Sequence, residues 1–374
     1  MDDLFNPKII EQMPTKTLAD NVAKIAVIGV GGGGCNMVDH MISEGIHKVD
    51  LIVANTDLQA LRVSKAPKKI QLGANLTKGL GAGMKPEIGR ESAVESYDEI
   101  KETVDGSDIV FIAAGLGGGT GTGAASIIAK AAKETGALTV SVVTKPFKWE
   151  GKKRAGLANL GLEELKKVSD SIIVIKNDRL KEISDESTGL KDAFRVVDNI
   201  LYQAVNGMSE VILKPGANDI NTDFADVKTI MQYKGMALMG IGKAKGENAA
   251  QKALENAIKS PLLDEVSLTG AKGIMVHWTI SPNITLFAME DVMGHINDSI
   301  DSDADIIFGT TTDSTLATDE VKITIVATGF ETIHDTLTET EHLEHNRKSS
   351  LSKNDPNYYD TPPLMRGYSI KYHL

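Results

Sequence analysis

The chain has 374 residues, 41% of them hydrophobic and 24% charged, and a formal net charge of −11. That length suits two domains of ordinary size, the acidic balance excludes a broad nucleic-acid-binding face, and a lone cysteine, Cys35, excludes an internal disulfide or a cysteine-based zinc cage. The opening "MDDLFNPKII" carries acids where a secretory signal carries bases, and no apolar run approaches the ~20 residues of a membrane span, so a cytoplasmic protein without membrane insertion is expected.

Residues 1–20 are polar and read as a mobile extension. Residues 21–190 alternate apolar strands with helical segments: "KIAVIGV", "VDLIVANTD", "DIVFIAAG", "ALTVSVVTKPF" and "SIIVIKND" are the strands, and "NMVDHMISEGI" is the first helix. Such alternation predicts an α/β fold with a parallel, Rossmann-like sheet covered on both faces. Residues 191–213 form one long helix, with Val197, Leu201, Ala204, Met208 and Val211 at helical spacing and Val196, Ile200 and Val205 beside them. This central helix joins the first domain to a smaller α/β domain at 214–330. Strands are expected there at "GIMVHWTI", "ITLFAME", "DIIFGT" and "VKITIVAT", with helices near 247–258 and 290–300. Residues 331–356 are polar and unpatterned, a disordered linker. Residues 357–374 regain aromatics, prolines and bases, which suits a partner-binding peptide as well as a frayed tail.

The chemistry lies in glycine-rich turns. "VIGVGGGGCN" (27–36) leads a strand into a helix, where backbone amides and a helix N-terminus face phosphate. Gly29, Gly31 and Gly34 fit the G-x-G-x-x-G spacing, and Asp50 and Asp57 stand at the distance of a ribose-binding acid, so a nicotinamide-dependent oxidoreductase is one reading. A close helix–strand crossing with no ligand is another. "GLGGGTGTG" (115–123) is a second such turn, and two turns on neighbouring strands make a nest of amides large enough for a di- or triphosphate. Thr120 and Thr122 add hydroxyls that can donate to phosphate or approach Mg²⁺. "GLGAGMKPEIG" (79–89) is a third glycine stretch, able to close over a terminal phosphate or to be an ordinary surface loop. No G-x-x-x-x-G-K-[ST] motif occurs, and "KNDR" (176–179) does not fit the base-reading NKxD motif of P-loop GTPases.

"GGGTGTG" (117–123), with "VIGVGGGGCN", "ANTDLQAL", "TKPFKWEGKKR" and "NTDFADV" in order, resembles the FtsZ family of the tubulin/FtsZ superfamily, the tubulin-like GTPases of bacterial cell division. The resemblance runs from about residue 22 to 330. It implies a GTPase that binds GTP and GDP, polymerises head-to-tail with copies of itself, and forms a cytokinetic ring at midcell. It assigns Gly32, Gly33, Gly34, Cys35, Asn36, Gly119, Thr120 and Gly121 to the phosphates, and Ala82 and Gly83 to the γ-phosphate. Glu150 and Arg154 fall to the ribose and its surroundings; by spacing alone they are an i,i+4 surface ion pair. Phe194 and Asp198 fall to the base: a ring can stack on it, and a carboxylate can accept from the N1–H and N2 amine of guanine, which adenine lacks. By spacing alone they are a core aromatic and a surface acid. Asn177 and Asn199 are further candidates for base contact.

The resemblance also places Asn221, Asp223 and Asp226 in a catalytic loop that enters the nucleotide site of the next subunit and orients the attacking water. Taken alone, the two acids are helix-capping residues. Mg²⁺ is expected through phosphates and water, with no site of protein ligands. Three departures stand out: Cys35 where the family often has a small residue or Asn, a 215–223 loop about two residues longer than usual, and "DTPPLMR" (360–366), which lacks the Ile and Phe of the family's docking peptide for membrane-anchoring and regulatory division proteins. A homologue that forms filaments on GTP without turning it over is the other reading within the family.

Overall fold

The structure, a computed structural model, describes residues 23–46, 48–182, 189–213, 219–220, 222–260, 263 and 268–330. The expected N-terminal extension, linker and C-terminal peptide lie outside the described residues, as do Asn221 and most of the loop before it.

Ten strands make one continuous sheet. In chain order they are β1 (Ile25–Val30), β2 (Val49–Asn55), β3 (Lys68–Gln71), β4 (Ile109–Gly115), β5 (Leu138–Lys145), β6 (Ser171–Lys176), β7 (Met236–Lys245), β8 (Gly273–Ile280), β9 (Asp305–Thr312) and β10 (Glu320–Phe330). Their spatial order is β3-β2-β1-β4-β5-β6-β7-β10-β8-β9. All pairings are parallel except those of β10, which runs against both β7 and β8. The chain order reverses at β1, between β2 and β4. In a doubly wound sheet the crevice beyond the carboxyl ends of the strands at such a reversal is where ligands bind.

The helices are α1 (Gly31–Ser43), α2 (Leu58–Val63), α3 (Ala74–Thr77), α4 (Pro86–Glu95), α5 (Tyr97–Val104), α6 (Thr120–Glu134), α7 (Lys152–Val168), α8 (Leu190–Leu213), α9 (Phe224–Met231), α10 (Ala249–Ile258) and α11 (Leu286–Asp298). Every residue of β1 is buried, because both of its faces are covered. Ile25 and Val27 pack with α1, α8 and α9, whereas Ala26, Ile28 and Val30 pack with α5, α6 and α7. The α8 stripe is the expected one: Val197, Ile200, Leu201, Ala204, Val205, Met208 and Val211 are all buried. Burial of each large member contributes roughly 1.5–3 kcal/mol before entropy is counted. The same core includes Val140 and Ile173 on one side of α8 and Met239, Met275 and Val326 on the other. The helix therefore packs across the junction of β6 and β7, against strands on both sides of it.

Two expectations in the C-terminal half are corrected. "ITLFAME" is not a strand: Thr285 accepts the N–H of Ala288 at 3.4 Å and starts α11. "MALMGIGKAK", not predicted, is β7. Its glycines admit a helix rather than break the strand, for a Cβ on Gly242 would lie 1.9 Å from the carbonyl oxygen of Ala253 in α10.

Candidate nucleotide site

α1 starts directly from the carboxyl end of β1, and α6 starts one short turn, residues 116–119, beyond the carboxyl end of the adjacent β4. Neither N-cap residue, Val30 or Gly119, makes a side-chain cap, and neither helix has an acid in its first turn. Their first-turn N–H groups are thus left for an external acceptor, in the partial positive field of two helix ends. The turns touch through bare backbone. Gly31 has φ +71°, and a Cβ on it would come within 2.8 Å of the Gly121 nitrogen. A Cβ on Gly121 would meet the Gly115 carbonyl oxygen at 2.5 Å. The two glycine runs are therefore one structure, an amide nest spanning two strands.

A cleft of about 440 Å³ opens over this nest. Gly32, Gly33, Gly34, Asn36, Gly119, Thr120 and Gly121 line one end. Glu150, Arg154, Asn177, Phe194 and Asp198 line the other. All twelve were singled out in the sequence, although they come from five separate stretches of chain. The stretch Ala114–Leu116 with Gly118 continues the second glycine turn along the wall, and Thr144, Pro146, Val197 and Leu201 line it without having been foreseen as site residues.

The polar end is built for a ligand. Glu150 accepts the Phe147 N–H at 2.9 Å through Oε1 and pairs with Arg154 through Oε2. Its side chain is only 9% exposed, so this pair is a fixed wall, unlike a free surface ion pair. Arg154 Nε and Asn177 Oδ1 are buried polar atoms without a protein partner among the described residues. Burial without a partner costs free energy, so a polar ligand at these atoms stabilises the site. Burial pushes the Asp198 carboxyl up to about 6. Phe194 meets Phe147 edge-on at 5.8 Å, and Phe147 stacks on Trp149 at 5.5 Å, giving the cleft an aromatic corner.

Other expected residues stand elsewhere. Cys35 is buried in the core shared by α1 and α8, and its Sγ accepts from Asn55 Nδ2 at 3.8 Å. Burial pushes its thiol up to about 12, so only its backbone can serve a ligand. Thr122 is likewise buried, and its hydroxyl accepts the Gly117 N–H at 2.8 Å: it braces the second turn rather than facing the cleft. Ala82 and Gly83 do not line the cleft. Ala82 packs behind Gly119, whose added Cβ would lie 2.8 Å from the Ala82 Cβ. The acids of the dinucleotide reading also miss it. Asp50 sits at the opposite end of β2, paired with Lys68 at 3.5 Å, and Asp57 caps α2 through the N–H groups of Gln59 and Ala60.

Asp223 and Asp226 are brought together at the start of α9, but not at the cleft. Farther along α9, the Ile230 carbonyl accepts from Thr328 Oγ1, which also donates to Gly273, the first residue of β8. The acids' own helix therefore ends beneath the amino end of the parallel strands, and the cleft lies beyond their carboxyl ends.

Residues 24–185 match the tubulin/FtsZ family, GTPase domain, and residues 235–331 match the FtsZ family, C-terminal domain. Among solved structures, an empty FtsZ dimer from M. jannaschii is 44% identical, with a TM-score of 0.76 over 87% of this chain and 92% of that one. CetZ1 from Haloferax volcanii, a GDP-bound monomer, is 20% identical, with a TM-score of 0.73 over 86% and 98%, and shows the same fold. These matches make the chain a tubulin-like GTPase, a class that binds guanine nucleotide and hydrolyses GTP. Within that class, the chain belongs to the FtsZ family.

Proposed function

We propose that this GTPase works as a head-to-tail polymer in which each cleft is completed by Asp223 and Asp226 of the next copy, with Asn221 beside them. The carrying observation is the separation of the two parts. The cleft lies at the carboxyl ends of the strands and takes the N-terminal half of α8, from Phe194 to Leu201. The acids follow the far end of that helix, about 18 Å on from Leu201 at 1.5 Å per residue. One copy cannot bring its own carboxylates to its own phosphates, whereas a translated second copy can. Such a heterologous contact repeats into a filament. Self-association in relatives supports this reading: FtsZ from M. jannaschii is described as a dimer, and CetZ2 from Haloferax volcanii as a GTPγS-bound protofilament.

In this reading the amides of Gly32–Gly34 and Gly119–Gly121 hold the phosphates, and Asp198 reads guanine. Arg154 and Glu150 take the ribose end, and Phe194 and Asn177 flank the base. The partner's acids orient water in line with the terminal phosphate, and positioning plus charge stabilisation supply the catalysis. Among the described residues no cluster of three or more His, Cys, Asp or Glu could hold a metal ion. Mg²⁺ would be held through phosphate and water ligands and would neutralise charge on the transferred group. In the cell the polymer forms the cytokinetic ring at the division site, attached by the segment at 357–374 to membrane-anchoring proteins. No described helix is long and apolar enough to cross a membrane.

GTP hydrolysis measured against protein concentration, alongside light scattering, tests this. Specific activity appears only above the concentration at which scattering rises. Constant activity per molecule down to high dilution overturns the shared site.

A further inference from the structure

Thr56 lies at the turn after β2, is fully buried, and does not line the cleft. Its Oγ1 is 2.7 Å from the Oγ1 of Thr120, the first residue of α6, which does line the cleft. A threonine hydroxyl carries one proton and can accept two hydrogen bonds. Thr120 Oγ1 is the one partner that the described residues offer the Thr56 hydroxyl. Were Thr120 the donor, the buried Thr56 proton would have no acceptor, and an unmet buried donor is costly. The direction that satisfies both runs from Thr56 to Thr120, which leaves the Thr120 proton to point at an acceptor in the cleft.

The geometry points to Thr56 as a positioning residue: it fixes the Thr120 hydroxyl as a donor toward an anionic oxygen of the bound nucleotide. This rests on the assignment of the glycine nest to phosphate. Accepting a hydrogen bond also polarises the Thr120 hydroxyl, which strengthens the bond it gives. The backbone of Thr56 holds a second part of the site. Its carbonyl accepts Thr77 Oγ1 at 3.3 Å and the Gly81 N–H at 3.2 Å, which anchors the stretch leading to Ala82, behind Gly119. The neighbouring Asn55 reaches Cys35 in α1. The Asn55–Thr56 corner thus fastens both helices that begin at the nest.

The test is GDP and GTP affinity of the full chain, titrated below its assembly concentration. Thr56→Val keeps the shape and removes the hydroxyl. It is expected to weaken affinity about tenfold, as is Thr56→Ala, while Thr56→Ser restores it to within about twofold. Thr120→Val loses at least as much, and Thr56→Val adds nothing to it, because Thr56 acts only through Thr120. Additive losses, no rescue by Ser, or parental affinity in Thr56→Val overturn the positioning role alone. Parental affinity in Thr120→Val overturns the phosphate assignment of the nest's threonine, and the role of Thr56 with it. Thermal unfolding of each variant separates a local effect from loss of fold.

Discussion

Asp223 and Asp226 cap each other: Asp223 Oδ1 accepts the Asp226 N–H at 2.8 Å, and Asp226 Oδ2 accepts the Asp223 N–H at 3.4 Å. The capping role that spacing alone suggests is therefore real, and it coexists with the proposed catalytic one. Asp223→Ala removes the N-cap and is expected to lower stability by about 1 kcal/mol. Asp226→Ala leaves that cap's acceptor in place. It should abolish GTP turnover while GDP and GTP bind within about threefold of the parent, since the acid sits on the far side of the molecule from its own cleft. Loss of nucleotide binding in Asp226→Ala would contradict the assignment.

If Asp198 reads guanine as proposed, nucleotide affinity should depend on pH. Without ligand its carboxyl titrates at about 6, raised by burial. Two donors from guanine stabilise the ionised form and lower that value, so binding releases a proton wherever the free acid is protonated. Affinity is then full above about 6 and declines as pH falls through it, by up to tenfold per pH unit. Titrations from acid to neutral pH read this slope directly. Asp198→Asn should flatten it and weaken guanine binding at neutral pH. An unchanged slope in that variant assigns the titration to another group.

Cys35 should be inert. Its thiol is buried and held up to about 12, and thiolate is the reactive form. Alkylation of the native protein at neutral pH is expected to be negligible with or without nucleotide, and to become rapid only in denaturant. Fast labelling of the folded chain would show that α1 opens.

Glu210 in α8 and Lys322 in β10 pair at 2.6 Å, with side chains 20% and 21% exposed. Removing one partner leaves a half-buried charge. Glu210→Gln is expected to cost about 1–2 kcal/mol, and a double replacement with Lys322→Met less than the sum of the two. Urea unfolding of the four proteins measures the coupling.

Much of the site could be read from the sequence because backbone makes it. Gly31, Gly119 and Gly121 are required by contacts that any side chain would block, and glycine is visible in a sequence. The residues at the end of the cleft away from the glycines were legible only through the family resemblance. Phe194 and Asp198 look like core and surface on any helix, and their place in the cleft comes from where α8 lies. Thr122 was misread because a hydroxyl in a glycine loop serves the loop as readily as a ligand. The strand expected at "ITLFAME" failed for a related reason. Leu286 and Phe287 are 76% and 80% exposed, so the apolar residues that broke the helical pattern belong to the surface, while Val292 and Ile296 face the core. β7 was hidden by Gly240 and Gly242, which look like breakers until α10 is laid across them.

The sheet is not equally strong along its width. β6 and β7 are joined through two paired positions, Ile172 with Met236 and Ile173 with Ala237, whereas β7 and β10 pair from Lys245 to Met236. Under tension that seam is the place to tear. The strands that carry the amide nest all lie on one side of it, so a chain that yields there keeps the nest whole.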